Sequence, residues 1–382
     1  MDYYWLSIYI IDGLLFIGVT LTVIYIVFFS VVSVFGKTRF APKAKHQNRF
    51  IVIIPSYKDD KNIVHTVASI LSQSYPQRMF DVVVISDHQS EITNMKLAQY
   101  TITLLTPNFE KSTKVKSLQF AVLNLPAFKI YDVAVILNAD NIVEAEFLEQ
   151  LNDAYEAAGT KAITCHLMPR NRDTAPARLS TIFEEINNSI FRRGHITIGL
   201  SSSLSSAGVA YEFEWFKKNL MKVRTNFEDR ELEGMLVHQQ CFIDYFDYIH
   251  IYNERKRDAA EFNRQRGQWI IDQYRVLFKN IRYLPSAIIN QQYDWMDKII
   301  QWMLIPRSIM FAIVLVMDIT LPFIYLTLVI KWWIVTVIWG LALAIATPNE
   351  LVDKNWDKDF ISLPMATASN IYRKVTGLFR RK

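Results

Sequence analysis

The stretch Val133-Ala134-Val135-Ile136-Leu137-Asn138-Ala139-Asp140-Asn141 decides how this chain is read. Its first five residues are apolar, as a strand buried on both faces requires. The run stops at Asn138-Ala139-Asp140, so the strand delivers a carboxylate at its C-terminal end. In an open α/β sheet, ligands bind outside the carboxyl ends of the strands. An aspartate capping a strand-to-helix turn would look the same in isolation, and this stretch alone leaves both readings open. The segments on either side decide between them.

Upstream, Phe50 to Ile54 reads as a second buried strand, ending at Pro55-Ser56-Tyr57-Lys58-Asp59. A helix is predicted from about Lys61 to Ser74, with Ile63, Val64, Val67, Ile70 and Leu71 on one face and Tyr75-Pro76 closing it. Phe80 to Ile85 is the next strand and ends at Ser86-Asp87-His88. Tyr100 to Leu105 is a further strand candidate, followed by a loop with Lys111 and Lys114 and a helix over Lys116 to Leu123. Downstream, a helix from about Glu144 to Ala158, a strand over Lys161 to Leu167, an amphipathic helix over 176–193 and a strand over Tyr245 to Tyr252 continue the alternation. Strand-helix-strand alternation implies an α/β fold with a parallel sheet. Three strand ends then carry acids: Asp59 or Asp60, Asp87 and Asp140.

Three such acids, with Lys114 beside them, suit a nucleotide held through base, ribose and a metal-bridged diphosphate. Mg²⁺ takes one or two carboxylates plus phosphate oxygens and water. The seven histidines are scattered and none has ligand spacing with a cysteine, which argues against a zinc site; His88 and His166 read as structural. No GxGxxG and no Walker lysine motif is present, which removes support for dinucleotide and P-loop sites.

A second set of candidates lies further along. Ser201 to Gly208 is a run of small residues suited to close approach of a ligand to the backbone. Asn226-Phe227-Glu228-Asp229-Arg230 opens a helix; its acids serve either the helix dipole or, at Asp229, as a general base. The basic segment Arg255 to Trp269 ends in Gln265-Arg266-Gly267-Gln268-Trp269, which is either a solvated face or an arginine facing diphosphate with a tryptophan flooring a sugar site.

The termini have another character. Gly13 to Phe35 carries no charge, and about 20 apolar residues suffice to cross a bilayer as a helix. Lys37, Arg39, Lys43, Lys45 and Arg49 follow, so the positive-inside rule places the downstream chain in the cytoplasm. Trp295, Met296, Ile299, Ile300, Trp302 and Met303 lie at helical spacing, as in a helix at the membrane interface. Ser308 to Ile330 is a second candidate span, interrupted by Asp318 and Pro322; Lys331 marks a water boundary, and Trp332 to Thr347 is a short third span. The basic tail reads as a helix on anionic lipid. The expected organisation is a membrane helix over 1–36, a cytosolic domain over 37–290, an interface helix over 291–307, two spans over 308–347 and a tail over 348–382.

Composition agrees. Of the 382 residues 51% are hydrophobic and 13% aromatic, and the net charge is +5, too mild a surplus to indicate nucleic acid. The two cysteines, Cys165 and Cys241, make no disulfide framework.

The ordered set Pro55-x-Tyr57-x-Asp59, Ser86-Asp87, Lys114, Asn138-Ala139-Asp140, Glu228-Asp229 and Gln265-Arg266-x-x-Trp269 resembles the membrane-integrated family-2 glycosyltransferases. Cellulose, chitin and hyaluronan synthases and related bacterial polysaccharide enzymes belong to that group. The resemblance runs over roughly residues 50–310 and implies an A-type glycosyltransferase domain between membrane helices. It also implies a nucleotide-diphospho sugar donor such as a UDP-sugar, Mg²⁺ or Mn²⁺, and inversion at the anomeric carbon. Carried over by position, Pro55, Tyr57, Asp59 and Asp87 would contact the nucleoside, with Lys114 nearby. Asp140 would hold the metal, and Arg266 would face the diphosphate. Asp229 would be the base, with Glu228 beside it, and Gly208, Gln265, Gln268 and Trp269 would line the acceptor side.

The chain departs from the pattern at several positions. Asn138 replaces the first acid of Asp-x-Asp, Ser206 a glycine, Phe227 a threonine and Gln268 the second arginine. The activity implied is hexosyl or N-acetylhexosaminyl transfer, in a multi-pass protein of a bacterial inner (plasma) membrane with its catalytic domain cytoplasmic. Three readings stay open: a polysaccharide synthase completed by a homo-oligomer or export partner, a transferase adding one sugar to a lipid-linked acceptor, and a non-catalytic export subunit.

Overall fold

A computed structural model describes residues 3–348 apart from Ala127 and Asn226. The basic tail expected from the sequence falls on residues 349–382 and lies outside the described residues. The chain begins with α1 (Tyr3–Phe35) and then alternates β1 (Phe50–Tyr57), α2 (Ile63–Leu71), β2 (Phe80–Asp87), α3 (Glu91–Leu97), β3 (Thr103–Leu105), α4 (Lys114–Leu123) and β4 (Val133–Ile136). Next come β5 (Ile142–Val143), α5 (Phe147–Ala158), β6 (Ala162–Pro169), α6 (Ala175–Asn187), a π-helical stretch (Asn188–Gly194) and α7 (His195–Thr197). The domain closes with β7 (Val209–Glu212), α8 (Phe213–Leu220), α9 (Glu228–His238), β8 (Ile243–Asn253), α10 (Ala259–Asn280) and α11 (Leu284–Ile289). Three helices follow: α12 (Tyr293–Met303), α13 (Arg307–Ile324) and α14 (Leu326–Ala346).

The eight strands form one mixed sheet in the order β3-β2-β1-β4-β7-β6-β8-β5. Strands β3, β2, β1 and β4 are mutually parallel, whereas β7 runs antiparallel between β4 and β6. The apolar strand runs have a direct cause, because successive side chains leave a strand on opposite faces. On β1, Phe50, Val52 and Ile54 join the core beneath α2 and α5, while Ile51 and Ile53 join the one beneath α4, α8 and α9. Both faces are covered, so no position on the strand can be polar without cost.

A third core joins α1, α13 and α14 through Val19, Val23, Phe29, Met310, Val314, Trp332 and Val335. Two helices are long and apolar enough to cross a membrane, Tyr9–Phe35 within α1 and α14. The bent pair α12–α13, with an angle of 49°, makes a third if counted as one span. The break between the last two helices differs from the sequence expectation. It falls at Tyr325, whose backbone is extended, not at Lys331. Pro322, which has no N–H for the helical ladder, lies just before the break. Lys331 instead sits inside α14, where its ammonium pairs with Asp12 of α1, and the Trp332 indole donates to the same carboxylate at 2.8 Å.

Candidate active site

Strands β2, β1 and β4 are adjacent and parallel, so their C-terminal ends share one edge of the sheet. Tyr57 and Asp87 are directly paired across that edge. Tyr57 is exposed, with its ring edge-on to His88 at 5.8 Å. Asp87 is buried; one carboxylate oxygen meets His88 Nδ1 at 2.5 Å, and the other is buried without a partner among the described residues. Ser56 and Ser86, one residue before each strand ends, are also buried. Pro55 lies within β1, opposite Ile85.

Beyond β1, Asp59 accepts from the Asn62 amide at 3.1 Å at the entry to α2. Asp60 does different work and receives the backbone N–H and hydroxyl of Ser90, at 2.9 and 2.8 Å. The turn after β4 is fixed by Asn141, which is fully buried and whose side-chain oxygen accepts from the Asn138 N–H at 2.8 Å. That bond aims Asp140 at the sheet edge. Burial and then the neighbouring Asp59 push the Asp140 carboxyl above the usual carboxylate range, with Lys256 and Arg255 opposing the shift. The segment carrying these cations is pinned by Asn171, which accepts the Arg255 N–H at 2.6 Å and donates to the Arg255 carbonyl at 3.1 Å.

Metal fit can be judged from this donor set. Among the described residues no three His, Cys, Asp or Glu side chains converge into an all-protein cage. A cation bridged to diphosphate needs only one or two carboxylates. Asp140 with Asp59 close by meets that requirement, because a divalent cation would relieve the repulsion between them.

Gly208 joins the two halves of the site. Its N–H donates to the Ile136 carbonyl at the end of β4, and its own carbonyl accepts from Cys165 of β6 at 2.9 Å. Its φ is +70°, and a Cβ there would collide with the Ile251 side chain, so only glycine fits. Just before it, the Ser206 carbonyl accepts from Lys114 Nζ at 2.8 Å. Lys114 therefore lies not among the strand-end acids but against α9, where it also pairs with Glu228 at 2.7 Å. Burial pushes the Glu228 carboxyl up, with Lys114 opposing and Asp229 reinforcing the shift. Asp229 Oδ1 accepts the next residue's N–H, that of Arg230, at 2.8 Å.

The Gln265–Trp269 end of the basic segment lies in the first half of α10. Gln265 is exposed. Arg266 stacks over Phe183 at 4.4 Å and Phe262 at 5.2 Å, and burial alone lowers its guanidinium to about 10. Trp269 is half exposed and, with Arg266 and Arg230, lines a cavity of about 190 Å³. Gln268 donates to Asp272 at 3.3 Å, one helical turn on.

Asp272 is buried, with its other oxygen unpartnered among the described residues, and burial raises its carboxyl to about 6. A carboxyl raised in the folded state contributes stability below its unfolded value, near 4, and loses it as pH rises through 6. Asp272→Asn should therefore melt above wild type at pH 7.5, with the gap closing by pH 4. Thermal unfolding in detergent at the two pH values measures this, and an equal gap at both would contradict it.

Several functional candidates were invisible to sequence reading. Arg230, Glu184 and Arg307 line the cavity with Arg266, and Arg255 is close enough to Glu184, Glu185 and Asp140 for their charges to act on it. The basic run around Arg255 gave the one usable signal.

A family model described as glycosyltransferase like family 2 matches residues 46–271, more than half of the chain. The chain belongs to that family. Among solved structures, the mannosyltransferase PcManGT from Pyrobaculum calidifontis, in complex with GDP-Man and Mn²⁺, is 13% identical, with a TM-score of 0.54. The match covers 96% of this family-2 chain and 99% of that one, and shows that the two share a fold. S. aureus TarS 1-349 is 14% identical over 77% of this chain and 81% of its own, with a TM-score of 0.47. No curated protein matches by sequence. The family-2 glycosyltransferase domain thus has the A-type fold that the motifs imply, on a mixed α/β sheet flanked by apolar helices.

Proposed function

We propose that the chain is an inverting transferase that moves a sugar from a nucleotide-diphospho sugar to an acceptor hydroxyl at the cytoplasmic face of a bacterial membrane. One observation carries this reading. The Gly208 loop links the β4 end, with Asp140, to α9, with Asp229, so a donor group and a base group flank one backbone turn. In this reading Tyr57 and Asp87 bind the nucleoside, and Asp59 and Asp140 face the diphosphate side. PcManGT, whose structure contains GDP-Man and Mn²⁺, is consistent with a nucleotide-sugar donor and a divalent metal. A cation held by Asp140 would supply charge neutralisation for the diphosphate. Lys256 and Arg255 offer positive charge on the same side.

The step is a single displacement. The acceptor oxygen attacks the anomeric carbon while Asp229 takes its proton, the bond from that carbon to the diphosphate oxygen breaks, and the nucleoside diphosphate leaves on the opposite face. One displacement inverts the configuration. Lys114 holds Glu228 and the Ser206 carbonyl together, and so sets where Asp229 stands. The acceptor approaches through the cavity lined by Trp269.

Asp140→Ala should remove the metal dependence of nucleotide binding. Calorimetry of the full chain with nucleoside diphosphate should show Mn²⁺ tightening binding in wild type and having no effect in the variant. An equal Mn²⁺ effect in both would refute the assignment of Asp140.

A further inference from the structure

The cavity of about 190 Å³ is far larger than the roughly 10–15 Å³ that one water needs. It lies where α6, α9 and α10 of the domain meet α1 and the elbow between α12 and α13. Four arginines, Arg192, Arg230, Arg266 and Arg307, line it against one carboxylate, Glu184. That carboxylate is already engaged by Arg192 at 2.7 Å. Arg230 is engaged by Glu233 at 3.3 Å.

Arg266 and Arg307 are different. Both guanidiniums lie over the same Phe183 ring, at 4.4 and 5.5 Å from its centroid. Arg307 donates from Nη2 to the Asn187 amide oxygen, and its Nη1 is buried with no partner among the described residues. Two like charges gathered on one ring, where the cavity's one carboxylate, Glu184, is already paired with Arg192, cost free energy unless an anion completes the site. Planar guanidiniums are suited to bidentate recognition of phosphate.

The walls indicate what carries that phosphate. Ile26 belongs to the first apolar helix, and Leu304, Ile305 and Pro306 form the elbow entering α13. A ligand whose anion reaches Arg307 thus has membrane-helix surface beside it. At the other end Arg230 adjoins Asp229 in sequence, and its N–H holds the Asp229 carboxylate.

We propose that Arg266 and Arg307 bind the phosphate or diphosphate headgroup of a lipid-linked acceptor, placing its acceptor hydroxyl towards Asp229. The proposal rests on the transferase reading above and names the acceptor class for the same site.

The test uses the full chain in phosphatidylcholine nanodiscs and follows the fluorescence of Trp269 and Trp302, both of which line the cavity. The probes are hexadecyl phosphate, hexadecanol and inorganic phosphate. Hexadecyl phosphate should bind saturably and at least about tenfold more tightly than either control, since it alone combines an alkyl chain with charge-assisted hydrogen bonds. Arg307→Gln and Arg266→Gln should each weaken it about tenfold or more, with Arg307→Lys intermediate. Nucleoside diphosphate affinity of Arg307→Gln, measured by calorimetry on the same samples, should stay within about twofold, and thermal unfolding in detergent reports that each variant is folded.

Equal binding of hexadecanol, or of inorganic phosphate, would overturn the lipid-phosphate assignment. So would glutamine variants that bind hexadecyl phosphate like wild type. Loss of nucleoside diphosphate affinity in an Arg307→Gln protein that still unfolds cooperatively would assign the cavity to the donor and also overturn it. Failure of the wild-type chain to bind any nucleoside diphosphate while hexadecyl phosphate binds would sink the transferase reading and leave the lipid site standing.

Discussion

Asp229→Asn should lower kcat for sugar transfer by about 10²–10⁴-fold, the usual contribution of a positioned general base. The amide keeps the shape of the carboxylate and can still accept the Arg230 N–H, which approaches Oδ1 at 2.8 Å. It cannot take the acceptor's proton. The loss should appear in kcat and kcat/KM together, because the interaction removed belongs to the transition state. Nucleotide affinity should stay within a few-fold, since the nucleoside-side residues are on β1 and β2. Steady-state kinetics and calorimetry on one purified sample separate the two effects. Full activity of the variant would remove Asp229 from the mechanism and, with it, the reason for placing the acceptor beside α9.

Lys298→Met should cost about 3–5 kcal/mol of stability, the usual penalty for removing one member of a buried ion pair. Lys298 and Glu233 are both fully buried, 3.3 Å apart. The ammonium also reaches the Ser203 hydroxyl at 3.0 Å and the Gln301 amide oxygen at 3.1 Å. Glu233 accepts the Leu204 N–H at 3.0 Å and the Arg230 guanidinium at 3.3 Å. Without the lysine, the carboxylate keeps only part of that set in a site with no water contact. Melting in detergent should fall by roughly 10 °C, from the usual 2–4 °C per kcal/mol for domains of 150–250 residues. The double variant Lys298→Met, Glu233→Leu should recover part of the loss, because the fully buried carboxylate leaves with the ammonium while the partly exposed Arg230 loses its partner. A double variant as unstable as the single one would show that packing, not charge, sets the cost.

How legible all this was depends on how local each determinant is. Strands β1, β2 and β4 could be read directly, because a strand covered on both faces must be apolar at every position. The acids beyond them could be read for the same reason, since polarity returns where the strand leaves the core. Asn141 was part of the quoted stretch, yet its task of closing the Asn138 turn needs a bond that spacing does not reveal. Lys331 was misplaced because an isolated lysine in an apolar run signals a boundary, and its partner Asp12 stands 319 residues earlier. The shared Phe183 ring under Arg266 and Arg307 was equally out of reach, since three elements must meet to make it. The resemblance sets Lys114 near the nucleoside contacts. Its bond to Glu228 spans the loop and follows from the sheet order, which places β7 and α9 beside β4.

The π-helical stretch after α6 gives the first helix a further meaning. Gly194 packs so closely on α1 that a Cβ would come within 2.8 Å of the Phe29 carbonyl. His195 lies flat on the Phe29 ring at 3.8 Å, and Tyr25 of α1 donates to Asp297 at 2.7 Å. From Asp297 the chain of bonds runs through Gln301 and Lys298 to Glu233, one turn below Asp229 on α9. The enzyme therefore has no detachable head. Cutting the chain after Phe35 would not free a soluble catalyst from a tether; it would remove a wall of the catalytic unit and open that bonded chain to water. The frontier between anchor and catalyst, so plain in hydropathy at Lys37, does not exist in the packing.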